Sequence, residues 1–283
     1  MRKLLLLSFI ISGSLLFSKE YTDQISKEIK TSGNLQEKVL YFGNLFGSVD
    51  VEGYKGNTIK IEVLRNIQYE SNEELEIAKE ELQLMLTETN KGYLLHYNMP
   101  EVKIDEEKMR TSFNFCGESL EYKFEFNVKI MVPEDINLHI STVDKGDVSI
   151  EKTSGLLEIN NVNGSISMKD VSSITEVSTV NGSIEISFNK NPAGKSVYKT
   201  INGDIRLKLK NEFSSTVEFT SMNGDLYTDF ENIEYHSHKI DKQEHKEGIR
   251  YEIKSNPTVQ FGNGKNQMNM SSINGSFYLL NNE

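Results

Sequence analysis

The sequence predicts an all-β, single-domain β-solenoid (β-helix-like) with one helical insertion near 71–88, and three observations predict it. The first is a recurring phrase: Asn163-Gly164-Ser165-Ile166, Asn181-Gly182-Ser183-Ile184, Asn202-Gly203-Asp204-Ile205, Asn223-Gly224-Asp225-Leu226 and, after a gap, Asn274-Gly275-Ser276-Phe277. Its first four glycines are 18, 21 and 21 residues apart, and a period near 20 marks stacked rungs. The second is a pair of apolar columns after the glycine: Ile166, Ile184, Ile205, Leu226 and Phe277, then Met168, Ile186, Leu207 and Leu279 with Thr228 as the polar exception. The residue between them (Ser167, Glu185, Arg206, Tyr227, Tyr278) is mostly polar, as strand alternation requires. The third is the apolar residue before each asparagine: Val162, Val180, Ile201, Met222 and Ile273. A two-residue hairpin turn at Asn-Gly would send that residue to solvent, so the column favours a corner that turns it inward. A hairpin-built β-sandwich is the alternative.

At such a corner Asn-Gly suits a backbone with positive φ. Asn163, Asn181, Asn202 and Asn223 would stack as a side-chain amide ladder, tying rungs about 4.8 Å apart, which is a structural role. Asp204 and Asp225 would then be like-charged neighbours. Each is expected to accept backbone N–H bonds at its own turn; a weak Ca²⁺ site bridging the rungs is the sharper reading.

In chain order, residues 1–18 read as a secretory signal: Arg2 and Lys3, an apolar Leu4 to Ile11, then small residues, with cleavage after Ser18 or, alternatively, Ser14. Residues 19–38 form a polar lead-in or first cap, and 39–283 the repeat domain. Gly47-Ser48-Val49-Asp50-Val51 opens the first rung, and Thr58 to Val63 alternates as a strand. Ser71 and Glu74 form a capping box for the helix, with Leu75, Ala78, Leu82 and Met85 on one face; it is expected to cover an end or flank of the stack. Residues 92–99 and 120–132 read as strands around a charged loop at 101–110. Rungs then run from Asn137 to Phe230, and the copy at 142–148 has one extra residue and no Asn. Residues 231–248 form a charged loop, Arg250 to Lys254 and Val259 to Phe261 return as strands, Asn263-Gly264 turns, and the last rung ends at Leu280.

Formal charge is −11; without Arg2 and Lys3, 29 basic residues face 42 acidic ones. That balance argues against nucleic acid and anionic membrane faces. After the leader no stretch is apolar and long enough for a spanning helix. Cys116 is the single cysteine, so no internal disulfide forms, and it reads as a semi-buried apolar residue. His236 and His238, with Asp241, Glu244 and His245, are the best metal-ligand set by residue type, but no tight spacing fixes a third ligand, and the segment reads as a solvated loop. His96 and His139 read as structural. There is no nucleophile elbow or phosphate loop, no catalytic residue is assigned, and no cofactor is expected.

The leader, the early Gly-Ser-Val-Asp-Val rung, the helical insertion, the Val-Asn-Gly-Ser-Ile phrases and the closing Gly-Asn-Gly-Lys…Ser-Ile-Asn-Gly-Ser-Phe segment resemble the bacterial putative-adhesin family of β-strand-repeat proteins, a domain of unknown function. The resemblance covers most of residues 40–280. It implies a β-solenoid-like domain in the envelope or outside the cell, and carries no agreed catalytic residues. The expected function is a non-enzymatic, exported envelope or cell-surface protein (periplasmic, surface or extracellular) that serves as an adhesin or binding scaffold. Its partner would be a surface ligand or an envelope component, neither identified by the sequence, and the oligomeric state is equally open. A carbohydrate-active β-helix enzyme and a periplasmic structural or stress-response component without a ligand are the alternatives. The outward column Ser167, Glu185, Arg206, Tyr227 lacks the paired carboxylates that glycoside cleavage needs.

Overall fold

The computed structural model describes residues 18–113, 120–236, 240–245, 248–253 and 257–282. Residues 1–17 of the expected leader, Cys116 and His238 lie outside the described residues. The described residues wind into eight rungs, each with one strand in each of two facing sheets. In chain order, the strand pairs are Val39–Gly43 with Val49–Tyr54 (rung 1), Gly92–Tyr97 with Lys123–Pro133 (rung 2), Asn137–Thr142 with Val148–Glu151 (rung 3) and Leu156–Asn161 with Ile166–Val171 (rung 4). There follow Ser173–Ser178 with Ile184–Phe188 (rung 5), Lys195–Lys199 with Ile205–Leu209 (rung 6), Ser215–Thr220 with Leu226–Thr228 (rung 7) and Asn266–Ser271 with Phe277–Asn281 (rung 8).

Neighbouring rungs pair in parallel and in register: Ile166 lies beside Ile184, Ile184 beside Ile205, and Ile205 beside Phe277. The solenoid reading therefore holds over the hairpin-built sandwich, because Asn-Gly carries the chain from one sheet to the other and does not fold it back on itself. Period-two alternation turns one residue of every two into the space between the sheets. There Leu157, Ile159, Ile166, Met168, Val177, Ile184, Ile186, Ile205 and Leu207 are buried in one continuous core.

The rungs do not stack in chain order. Along the stack they run 2, 1, 3, 4, 5, 6, 8, 7, so the last rung inserts between rungs 6 and 7. Antiparallel strands finish both sheets at the rung 2 end and one of the two sheets at the rung 7 end. Thr58–Tyr69 pairs with the second strand of rung 2, and Lys19–Lys30 pairs with Thr58–Tyr69 over its full length. Residues 19–30 of the expected lead-in are thus a sheet edge. In the other sheet Leu84–Thr89 closes the end beside rung 2, while Thr258–Phe261 and Ile233–His236 close the end beside rung 7. Such strands shield the parallel core edges.

The insertions differ from expectation in three places. The helix spans Asn72–Glu81, with Ser71 accepting the Glu74 N–H at 3.1 Å. It does not reach 88, because Leu84–Thr89 pairs with Gly92–Tyr97 as a hairpin, which leaves Met85 exposed on a strand. Tertiary pairing overrides the helical spacing there. The charged segment at 101–110 belongs to a second hairpin, Val102–Asp105 with Arg110–Phe113, that lies over Tyr41. Residues 231–248 contain Ile233–His236 and Ile240–His245, the latter paired with Gly248–Ile253, in place of a loop.

A buried arginine joins helix, edge strand and sheet. Arg65 grips Asp23 through Nε at 2.8 Å and Nη2 at 2.6 Å, and its Nη1 donates to the carbonyls of Lys79 and Leu82. The guanidinium thereby satisfies orphan carbonyls at the helix C-terminus. Replacing Asp23 by Ala leaves a buried cation unpaired and should cost about 3 kcal/mol in a denaturant melt. Deleting residues 266–283 removes an interior rung, so the expected outcome is loss of the cooperative thermal transition of the whole stack, read by circular dichroism, and not fraying at one end.

Candidate functional site at the asparagine-glycine corner

The corner is built from four columns, each joining a rung to the next. The asparagines form the first: Asn181 Nδ2 donates to Asn163 Oδ1 at 2.8 Å, Asn202 to Asn181 at 2.7 Å, Asn274 to Asn202 at 2.7 Å and Asn223 to Asn274 at 2.8 Å. Asn163 donates in turn to Asp144, which fills the column in rung 3. The extra residue of that rung is taken up by Lys145 at φ 62°. The ladder order differs from the expected one, since Asn274 lies between Asn202 and Asn223.

The glycines form the second column, and their reason differs from the expected positive φ, which Gly164, Gly182, Gly224 and Gly275 do not have. A Cβ on Gly164, Gly182, Gly203, Gly275 or Gly224 would sit 1.8–2.1 Å from the carbonyl oxygen of the glycine one rung before. Close approach of backbone to backbone demands the missing side chain.

The third column follows the glycine. Asp147 Oδ1 accepts the Ser165 N–H at 2.7 Å, Ser183 Oγ the Asp204 N–H at 3.2 Å, Asp204 Oδ1 the Ser276 N–H at 2.9 Å and Ser276 Oγ the Asp225 N–H at 3.2 Å. Each side-chain oxygen serves the next rung, not its own turn. Asp204 and Asp225 are separated by Ser276, so the expected like-charged neighbours, and with them a Ca²⁺ site bridging adjacent rungs, do not form. Asp204 instead pairs with Arg206 at 2.7 Å.

The fourth column, two residues before the asparagine, was not read from the sequence. Thr142, Asn161, Thr179, Thr200 and Ser272 are buried and, with Ser221, donate to the glycine carbonyl of the preceding rung; for Thr179 and Thr200 the distance is 2.9 Å. A buried carbonyl needs such a partner. The signal was present: all six positions hold a small hydrogen-bonding residue. Because this column points inward, the residue after it points outward. Val143, Val162, Ile201 and Ile273 are 37–41% exposed and Met222 77%. Of the apolar column expected to face the core, Val162, Ile201, Met222 and Ile273 form an exposed ridge beside the amide ladder, and Val180 is half-buried.

Elsewhere, the outer face of the same sheet carries Arg206, Tyr278 and Tyr227 in one row, with Tyr278 inserted into the outward column read from the sequence. Arg206 lies 4.3 Å from the Tyr278 ring centroid, and the two tyrosine rings stack at 5.0 Å and 15°. On the other sheet His139 sits 3.7 Å from Glu158 and 4.8 Å from the Tyr41 ring, in an open hollow of about 300 Å³ also lined by Lys108, Met109 and Leu156. Burial pushes the His139 pKa below its ordinary value of 6.5, against the opposing pull of Glu158. His96 is buried, its ring bonded to Thr87 and the Tyr97 carbonyl. His236 is exposed, 3.9 Å from Glu234. Among the described residues no three His, Cys, Asp or Glu side chains come together to hold a metal.

Gly182→Ala should cost at least about 2 kcal/mol, and Gly182→Asn no less, although asparagine tolerates the left-handed conformation; equilibrium denaturation of both separates close approach from positive φ. Thr179→Val should cost about 1 kcal/mol by leaving the Gly164 carbonyl unpaired. The folded chain takes up a proton at His139 less readily than the unfolded chain. The stability this contributes is full above about pH 6.5 and falls as pH drops through and below that value; His139→Gln should flatten that part of a pH series of melting temperatures.

No curated protein sequence matches this chain. Among solved structures, a putative cell adhesion protein from Clostridium sporogenes aligns at 12% identity and TM-score 0.45, over 92% of this chain and 100% of its own. A putative lipid binding protein from Parabacteroides distasonis aligns at 10% identity and TM-score 0.28, over 92% and 97%. Likenesses this distant carry no argument. Residues 134–261 match the Toastrack DUF4097 family model, a segment that takes in rungs 3 to 7 and the strand Thr258–Phe261 and leaves rungs 1, 2 and 8 outside it. Parallel rungs in register joined by Asn-Gly corners are the architecture of that segment, which is similar to the Toastrack domain, a domain of unknown function.

Proposed function

We propose that this chain is a non-enzymatic, exported binding scaffold of the cell envelope or cell surface. The observation that carries the reading is the corner ridge. Val143, Val162, Ile201, Ile273 and Met222 project beside a hydrogen-bonded row of amides, with Val180 half-buried among them. Aliphatic side chains aligned on an exposed edge mark an interaction surface, and their regular spacing suits an extended, repetitive partner. The rigid ladders beneath keep the ridge pre-organised, which lowers the entropic cost of binding. The acidic balance, −11, disfavours nucleic acid as that partner. Among the described residues no helix is long and apolar enough to cross a membrane. The basic, apolar and small-residue order of Met1 to Ser18 supports export.

Protease treatment of intact cells, followed by immunodetection, tests the location. Digestion on intact cells is expected for an adhesin; protection until the envelope is opened would move the scaffold to the periplasm. Ile201→Asp with Ile273→Asp tests the ridge. The double variant should melt within a few degrees of the parent and lose sedimentation with an isolated envelope fraction, and unchanged sedimentation would remove the ridge from the proposal.

A further inference from the structure

We propose that the open face of the Tyr227 ring is a stacking site for a neutral pyranose residue of an uncharged glycan. The site lies on the outer face of a sheet, away from the corner ridge, and does not depend on the ridge being a binding surface.

The stack is ordered from one side. Asp204 holds the Arg206 guanidinium at 2.7 Å, the guanidinium lies 4.3 Å from the Tyr278 ring centroid, and Tyr278 backs Tyr227 at 5.0 Å and 15°. Three flat groups thus rise one per rung, and Tyr227 is the last. Its strand, Leu226–Thr228, is the edge of the sheet; among the described residues no strand pairs with it beyond. Tyr227 keeps 48% exposure although a ring covers one of its faces. Among the described residues no ring continues the stack beyond Tyr227.

Three features choose the occupant. A tyrosine ring held by a second ring loses little freedom on binding, and offers a flat apolar face with a polar rim. The C–H face of a pyranose is the complementary surface, with weak C–H contacts to the ring. Hydrogen-bonding groups border the platform: the Asp225 carboxylate lies 3.5 Å from the Tyr227 hydroxyl, and the outer edge of Leu226–Thr228 presents backbone donors and acceptors to ring hydroxyls. Charge selects against acidic sugars and phosphates, because Asp225 flanks the ring, the one cation of the stack is already paired with Asp204, and the chain carries −11.

The test is titration of the full chain with cellotetraose, an uncharged β-linked glucan, and with tetragalacturonate, an acidic oligosaccharide of the same length. Calorimetry and saturation-transfer NMR supply the readouts. Cellotetraose should bind saturably with Kd of about 1 mM, with transfer concentrated on its ring C–H protons. Tyr227→Ala should weaken binding by about tenfold and Tyr278→Ala by less. Tyr227→Phe should retain binding and stands in if the Ala variant does not fold; Met85→Ala, on the exposed strand at the opposite end of the stack, should leave affinity unchanged. Absence of saturable cellotetraose binding overturns the proposal, as does tighter binding of tetragalacturonate or equal affinity in Tyr227→Ala. It is also overturned if Tyr227→Ala changes only concentration-dependent self-association, which would give the open strand edge to a second copy of the chain.

Discussion

One contact underlies the stack: the glycine of each corner lies against the carbonyl of the glycine one rung earlier, at a distance that leaves no room for a Cβ. Everything else at the corner follows from that approach. The buried carbonyl must be given a donor, and the Thr, Ser or Asn two residues before the asparagine supplies it. The inward turn of that residue sends its apolar successor to solvent and brings the asparagines into hydrogen-bonding distance. Ser or Asp after the glycine then catches the next rung's N–H. Three side-chain ladders and a backbone contact act on the same few atoms of each rung, so the rungs are held in register where the chain bends most.

The ends of the stack are handled by reordering and by antiparallel cover. Rung 2 lies outside rung 1, and rung 8 lies inside rung 7, so at neither end is the outermost rung the first or last in the chain. The N-terminal end adds the edge strand Lys19–Lys30 and the helix, both fastened through Arg65. At the other end Phe213, Phe230 and Phe261 close the core with ring centroids 5.3–5.8 Å apart. Leu226–Thr228 is left as a sheet edge, and the aromatic stack ends on it.

The solenoid was legible because its columns repeat at fixed offsets from Asn-Gly, and parallel in-register stacking places like residues beside like. The direction of the residue before each asparagine was not legible. Alternation counted backwards from Ile184 fails at the corner, where the chain changes sheets; the phase must be counted forward from Val177 and Thr179, both buried. The helix was found from its cap and spacing, but its end was not, because Leu84 to Thr89 follows its hairpin partner. Arg65 falls in phase with Ile61, Val63 and Ile67 on the buried face of its strand, but its partners, a strand 42 residues away and helix carbonyls, are not contained in that local pattern.

The sequence by itself determined the all-β rung, the repeated corner and the apolar columns, because these rest on local periodicity and on residues that recur at the same offset. Only the tertiary structure decided that rung 8 enters between rungs 6 and 7. Rungs with equivalent columns are interchangeable in pattern, and what distinguishes them is the path of the connecting chain and the cover at each end. From that insertion come the separation of Asp204 from Asp225 by Ser276 and the placing of Tyr278 between Arg206 and Tyr227. The outward chemistry of the stack was therefore set by which rungs meet, which the pattern within a rung does not contain.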